Sequence, residues 1–589
     1  MSVTQQAVAK SPSISKVIDP TDVADDPGAV RSDGIRDTIE SIVVAFILAF
    51  VFRAFMVEAF VIPTGSMAPG LNGLHARHRC SACQYPFAYG IKEDLKMPDG
   101  RTHRTLNASF SVRCPNCGFV GGGNSGLNTR DDPVIASAGD RILVLKWPYD
   151  IGGDLLGPKR WDVVVFKDPK DAETNYIKRL IGLPGEVLEI IDGDIYTAPA
   201  DQVPADIREA LGRLPPTSGT NKLRLSEAQQ AALARMLRIQ RKTPIAQESL
   251  WMNHYDQDFL PDRSLQSGFK FNPPAWKPEE PDQSGWNASA PKVRFEPPDD
   301  KEHWLRLVGR PIRDDYAYND VFGPNSPEPR SVSVGDVRIS FVLLPGLGHD
   351  GHIIMQLRKR QDEFRVTLFA DGRVELARQD PGGFPIPLRS AKIQPFRAHH
   401  ALSIEFENVD YRIALRVDGQ EVVATDDTQY APNTLALIRE FGRVPAPEES
   451  IAAIRIAAAG IPLELHHLRV RRDVYYSSEH PTLDGLSLTN RRNPYEGYPG
   501  WGTTLNPIFL RSDPPDFFCL GDNSPQSLDS RLWWEVAPLL EARGNYQFGT
   551  VPGDQLIGKA FFVYWPSGIR FTKDTPAVIP DVGRMRMIR

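Results

Sequence analysis

The sequence predicts a mainly β protein behind one N-terminal transmembrane helix, with a four-cysteine module and a β-sandwich inserted into its core. Three observations predict it. The 51 prolines and 46 glycines are about 16% of the 589 residues, above the usual roughly 12%, which favours turn-rich β structure. Short alternating apolar runs recur from Val334 to Tyr476. Near the N-terminus, the 24 residues from Ile39 to Ile62 read IESIVVAFILAFVFRAFMVEAFVI. As a helix they would span about 36 Å, enough to cross a bilayer.

Composition narrows the function classes. With 41% hydrophobic and 24% charged residues, most of the chain belongs in water. Acidic residues outnumber basic ones 74 to 68, so there is no basic footprint for nucleic acid, which is not an expected partner. Five cysteines are too few for a disulfide scaffold.

Residues 1–35 are polar, with Pro20, Asp25, Asp26 and Pro27 and no sustained apolar period, and read as a disordered leader. Residues 36–62 read as the anchor, although the unbroken apolar run from Ile42 to Phe52 is only 11 residues and Arg53 and Glu58 follow it. Arg53 can snorkel to a headgroup, which places Glu58 at the interface. A buried soluble helix is the alternative; a cleavable signal peptide would need a short basic leader that is missing. Lys16, Arg31 and Arg36 before the span favour a cytoplasmic N-terminus.

The stretch PTGSMAPGL, Pro63 to Leu71, then presents Ser66 in a turn close to the membrane. A serine beside glycine is most often only a turn residue, and a nucleophile needs a base. Lysine can serve if burial keeps its amine neutral. Lys146 in GDRILVLKW, Lys167 in WDVVVFKDP and Lys178 in NYIKRLIGLPGE are the candidates, and pattern alone leaves all three open.

Four stretches in order make the chain resemble the bacterial type I signal peptidases, membrane-bound Ser/Lys endopeptidases. They are PTGSMAPGL at 63–71, GDRILVLK at 139–146, WDVVVFKDP with YIKRLIGLPGE at 161–186, and GDNSPQSLDSR at 521–531. The resemblance implies Ser66 as nucleophile and Lys178 as general base, with Lys146 and Lys167 as structural strand residues. It implies an oxyanion hole from the Ser66 backbone N–H and the Thr64 hydroxyl. Ser527 falls where the family has a serine that orients the lysine amine. Asp522, Asp529, Arg531 and Arg179 match a supporting ion-pair network. The chain departs from the common pattern at Ser524, Pro525 and Gln526, where many members carry Arg, Asp and Asn. The implied activity is removal of signal peptides from exported preproteins after an A-x-A site, with no catalytic cofactor. The implied partners are those signal peptides, the lipid bilayer and the secretion translocon. The implied location is the bacterial cytoplasmic membrane, single-pass, with the catalytic domain outside the cytoplasm.

Two CxxC knuckles, Cys80 and Cys83 in RCSACQYPF and Cys114 and Cys117 in RCPNCGF, resemble a zinc ribbon holding one structural Zn²⁺ through four thiolates. Two disulfides in an oxidising compartment, or a remnant that holds no metal, are the alternatives. The long gap implies a hairpin tip supplied by residues such as Asp99 to Asn107. Lone Cys519 reads as a buried small apolar residue. Between Ala198 and about Arg330 the sequence says least: a helix over SEAQQAALARMLRIQ, 226–240, and a proline-rich linker or loop, NPPAWKPEEPDQSG. From Val334 onward the alternating runs, with Asp371-Gly372 and Asp418-Gly419 as hairpin turns, read as an all-β sandwich resembling concanavalin-like or laminin-G-like jelly rolls.

The expected organisation is a leader 1–35, an anchor 36–62, the first part of a peptidase core 63–197 carrying the ribbon-like insertion 75–130, and an irregular insertion 198–330. A sandwich 331–478, the second part of the core 483–572 and a tail 573–589 follow. Two rivals remain. A self-cleaving Ser/Lys repressor would need a DNA-binding helix pair where the span lies. A catalytically inactive, membrane-anchored binding protein would act through its sandwich.

Overall fold

The structure is a computed structural model that describes residues 30–91, 111–122, 137–214, 223–262, 264–265, 272–281, 284–319, 321–322, 332–348, 350–380, 383–440, 452–477, 499–544, 546–568 and 579–588. The Asp99–Asn107 hairpin tip and the leader before Val30 lie outside them. Contacts divide the chain into two units, one ending at Val57 and one from Glu58 onward.

The first unit is a helix, Val30–Val51, whose opening turns include residues assigned to the leader. A π-helical turn, Phe52–Met56, ends it. The single span expected over 36–62 is not observed: among the described residues no helix is long and apolar enough to cross a membrane. The helical part of the apolar run, from Ile42 to Val51, covers only about 15 Å. Val57–Val61 is instead a strand hydrogen-bonded to Arg141–Leu145. Its β-branched and aromatic residues suit that edge, and Phe60 packs on the cluster formed by Ile62, Ile142 and Val144.

The second unit is mainly β. Its principal sheet runs Val57–Val61, Arg141–Leu145, Leu556–Trp565, Val163–Asp168, Asp171–Gly182, Asp516–Leu520, Val551–Pro552. Arg586–Met587 pairs with Phe562 and Val563, so the segment expected as a tail returns to the sheet. A separate smaller sheet runs Arg238–Ile239, Asp194–Pro199, Glu186–Ile191, Ile508–Leu510. Beside it the helix Glu227–Met236 starts with a reciprocal cap, Ser226 Oγ accepting from Gln229 N and Gln229 Oε1 accepting from Ser226 N.

An eight-stranded and a seven-stranded sheet form the sandwich. Ile339, Phe341, Ile353, Met355, Ile404 and Phe406 fill its interior. The insertion 198–330, expected to be irregular, contributes strands to both sheets, Trp286–Asn287 and Val293–Phe295 to one, Ala275–Pro278 and His303–Val308 to the other, and Ala275–Pro278 lies inside the stretch expected as a proline-rich linker or loop. Three of these strands have only two to four residues, too short to show a period, which is why the sequence hides them. Buried ion pairs join the sandwich to the smaller sheet: Lys359 Nζ lies 2.5 Å from Asp336 and 3.3 Å from Asp194, and Lys242 Nζ 2.5 Å from Asp410 and 2.8 Å from Asp473. Removing one partner of such a pair would leave an uncompensated buried charge.

Two hairpins carry the four cysteines. Each knuckle closes with the same turn, Gln84 N donating to Cys80 O at 2.8 Å and Gly118 N to Cys114 O at 3.0 Å, with Gln84 and Gly118 at φ 62° and 74°.

Candidate active site

The turn after Val61 is held by its own residues. Ala68 N donates to Gly65 O and Leu71 N to Met67 O, while Met67 and Leu71 plug into the apolar face made by Ile142, Val144 and Val163. Burying two such side chains contributes on the order of 3–6 kcal/mol. Ser66 is therefore presented from a turn whose neighbours are anchored. Its backbone carbonyl accepts from Asn523 N at 3.0 Å.

Lys178 lies in the strand Asp171–Gly182, opposite Val164. Adjacent strand residues point to opposite faces. On the Lys178 side, Val164, Phe166, Leu180, Cys519 and Trp533 form an apolar cluster. On the other, the Arg179 guanidinium binds Asp522 through two bonds of 2.8 Å. Lys178 Nζ donates to Ser66 Oγ at 2.6 Å, joining residues 112 positions apart. Burial lowers the ammonium's pKa from 10.5 to about 8, outweighing the carboxylates of Asp529, Asp168 and Asp522, which would raise it.

Asp529 pairs with Arg531 at 2.7 Å, both fully buried. Burial alone would raise the Asp529 pKa, but the Arg531 charge and hydrogen bonds hold it below the ordinary value. Asp529 Oδ2 also accepts from Gly521 N at 3.1 Å. The departure from the family pattern at Ser524 is accommodated directly, because Arg531 donates to both Ser524 Oγ and Ser524 O at 2.9 Å.

The structure thus brings Ser66, Lys178 and the Asp522–Arg531 loop into one site. Thr64 Oγ1 reaches Ser66 Oγ only at 3.5 Å. Ser527 departs from the expectation that its hydroxyl orients the amine: its buried Oγ makes no hydrogen bond. It lies over Gly521, where a Cβ would come within 2.2 Å of Ser527 Oγ and 2.4 Å of Ser66 O, so only glycine fits. Of the other candidate lysines, Lys146 reaches Glu58 at 3.4 Å, and Lys167 lies on the strand Val163–Asp168.

Sequence reasoning missed four residues at this site. Asn523 Nδ2 donates to Gly65 O at 2.9 Å, and Asn319 exchanges amide hydrogen bonds with Asn523 at 2.6 and 2.8 Å. Tyr316 OH donates to Asp522 O at 3.0 Å, and the Tyr318 ring covers Gly65. Three of them come from the insertion, where the only signal is the alternation Tyr316-Ala317-Tyr318.

A family profile described as signal peptidase, peptidase S26, matches residues 134–257 and 512–565. The family matched is signal peptidase S26. The matched residues include Lys178, Arg179 and the 521–531 loop, while Ser66 precedes them. Signal peptidase I of Rickettsia typhi and that of Rickettsia prowazekii are each 56% identical to the chain over 39 residues, 7% of this chain. The chain spans 15% of the length of these signal peptidases. A carbohydrate-binding module CBM66 from Bacillus subtilis is similar over 33% of this chain and 94% of its own, at 8% identity and a TM-score of 0.22.

The four cysteine sulfurs lie within 4.8 Å of one another, with Cys80–Cys117 at 3.7 Å and Cys83–Cys114 at 3.6 Å, and all are free thiols. Four thiolates at about 2.3 Å from a tetrahedral centre stand about 3.8 Å apart, so the set fits zinc.

Proposed function

We propose that the chain is a Ser/Lys endopeptidase that removes signal peptides from exported preproteins. The single observation that carries the reading is the 2.6 Å bond from a buried lysine amine to a serine hydroxyl. In the reaction, Ser66 Oγ attacks the carbonyl at the end of the signal, and Lys178 Nζ takes the hydroxyl proton. The amine then gives that proton to the leaving nitrogen, and a water, deprotonated in turn by the amine, releases the acyl group. The Ser66 backbone N–H and the Thr64 hydroxyl serve the oxyanion. The substrate lies extended and is cut after an A-x-A site.

The helix Val30–Val51 attaches the enzyme to the membrane, with the catalytic part outside the cytoplasm. This reading is supported by apolar side chains from Ile42 to Val51 that are 48–66% exposed along the helix and need an apolar surrounding. Preproteins held by the translocon on the same membrane reach Ser66 at raised effective concentration.

The test is cleavage of an A-x-A preprotein by the detergent-solubilised full chain, with the new N-terminus sequenced. A cut directly after A-x-A is expected. A folded wild-type chain that leaves several such preproteins intact would favour a binding protein acting through the sandwich.

Cys80, Cys83, Cys114 and Cys117 hold one structural zinc, which takes no part in catalysis. Metal analysis is expected to find about one zinc per chain, and its removal by a chelator to lower the thermal transition. Two disulfides without zinc would overturn the assignment.

A further inference from the structure

We propose that Tyr318 is a positioning residue for the nucleophile, a role that rests on the Ser66–Lys178 reading above. Its buried ring is wedged between two glycines: a Cβ on Gly65 would stand 2.0 Å from Tyr318 Cε1, and one on Gly90 would stand 2.4 Å from the same atom. Gly65 precedes Ser66, and Gly90 ends the strand Pro86–Gly90 of the four-cysteine module. Gly90 N donates to Tyr318 O at 2.8 Å, and Tyr318 OH donates to Leu74 O at 2.9 Å. Leu74 N in turn donates to Pro63 O at 3.3 Å, so the loop carrying Ser66 is tied at both ends and capped by the ring.

The neighbouring residue completes the clamp. Asn319 holds the Asn523 amide, whose Nδ2 binds Gly65 O while Asn523 N binds Ser66 O. The carbonyls of Gly65 and Ser66, one on each side of the Ser66 Cα, are thereby fixed from outside the turn. An ordinary core tyrosine would be explained by packing alone. This one contacts the residue next to the nucleophile through a face that admits no side chain, and it joins that residue to an inserted module. A displacement of Ser66 by about 1 Å would cost roughly a hundredfold in rate, because the attacking oxygen must meet both the amine and the carbonyl.

The experiment compares preprotein cleavage by the full chain with that by Tyr318→Ala, Tyr318→Phe and Asn319→Ala, with Ser66→Ala as blank. Tyr318→Ala is expected to lower kcat by about 10- to 100-fold with KM within about twofold, and Tyr318→Phe to stay within about threefold of wild type because it keeps the ring. Asn319→Ala is expected to lower kcat by about 3- to 10-fold, and it carries the test if Tyr318→Ala does not fold. Wild-type kcat in a folded Tyr318→Ala or in Asn319→Ala overturns the proposal. So does a loss in KM alone, or a Tyr318→Phe as impaired as the alanine variant. A folded wild type no more active than Ser66→Ala would instead refute the peptidase reading itself.

Discussion

Replacing Lys178 with alanine is expected to reduce preprotein cleavage by about 10³-fold or more, as loss of the general base leaves Ser66 Oγ with no acceptor for its proton. Lys178→Arg should be as inactive, because a guanidinium stays protonated at any working pH. The wild-type rate should climb with pH through about 8, the value to which burial lowers this amine. The sign follows from the charge: burial disfavours the ammonium, so the neutral base gains population as pH rises. At pH 8 about half of the Lys178 amines are neutral, against about 0.3% for a lysine at 10.5. Measuring kcat/KM from pH 6 to 10 checks this. A flat profile, or normal rates in Lys178→Arg, would remove lysine from the role of base.

Arg531→Met is expected to cost about 3–5 kcal/mol of stability, the penalty for leaving a buried carboxylate without its cation. Arg531 binds Asp529 through Nε at 2.9 Å and Nη2 at 2.7 Å, and its other bonds hold Ser477 O and both oxygens of Ser524. The double variant Asp529→Asn/Arg531→Met should recover part of the loss, since the uncompensated charge is gone. Denaturant titration followed by tryptophan fluorescence reads both. A single variant within about 1 kcal/mol of wild type would mean that the pair adds little beyond the backbone bonds around it. A catalytic signature goes with it: Asp529 is the largest opposing charge on Lys178, so where it stays ionised without Arg531 the pH profile of the surviving activity moves to higher pH.

Much of the β architecture was legible because strand period and turn chemistry are local. The runs that became Val337–Pro345, His352–Lys359 and Leu402–Val409 are eight or nine residues long, rich in β-branched and apolar residues, and alternate for part of their length, as in Leu402-Ser403-Ile404-Glu405-Phe406, enough to be read as strands. Asp371-Gly372 marks the turn from Asp362–Phe369 to Arg373–Gln379 and Asp418-Gly419 the turn from Arg412–Val417 to Gln420–Ala424, because glycine takes the positive φ required, 89° and 76° here. Strands of two to four residues among prolines escaped the same reading, as did Arg586–Met587, whose pairing depends on a partner strand more than 20 residues away. The span expected through Ile62 failed for a related reason. VEAFV is as good a strand as a helix end, and the edge offered by Arg141–Leu145 decides between them.

By itself the sequence determined the mainly β class, the inserted sandwich, the spacing of the cysteine knuckles and the set of residues from which a serine–lysine site could be built. Each is written in windows of a few residues, where propensity, period and motif operate. Local pattern could not say which of Lys146, Lys167 and Lys178 meets Ser66, since all three lie in or beside β-prone runs. Only the folded chain places Lys178 Nζ at 2.6 Å, surrounds it with apolar side chains, leaves Ser527 Oγ unbonded, and brings Tyr318 and Asn319 from an insertion about 250 residues away against the nucleophile turn. Contacts across such separations come from packing the whole chain, and no short window of sequence encodes them.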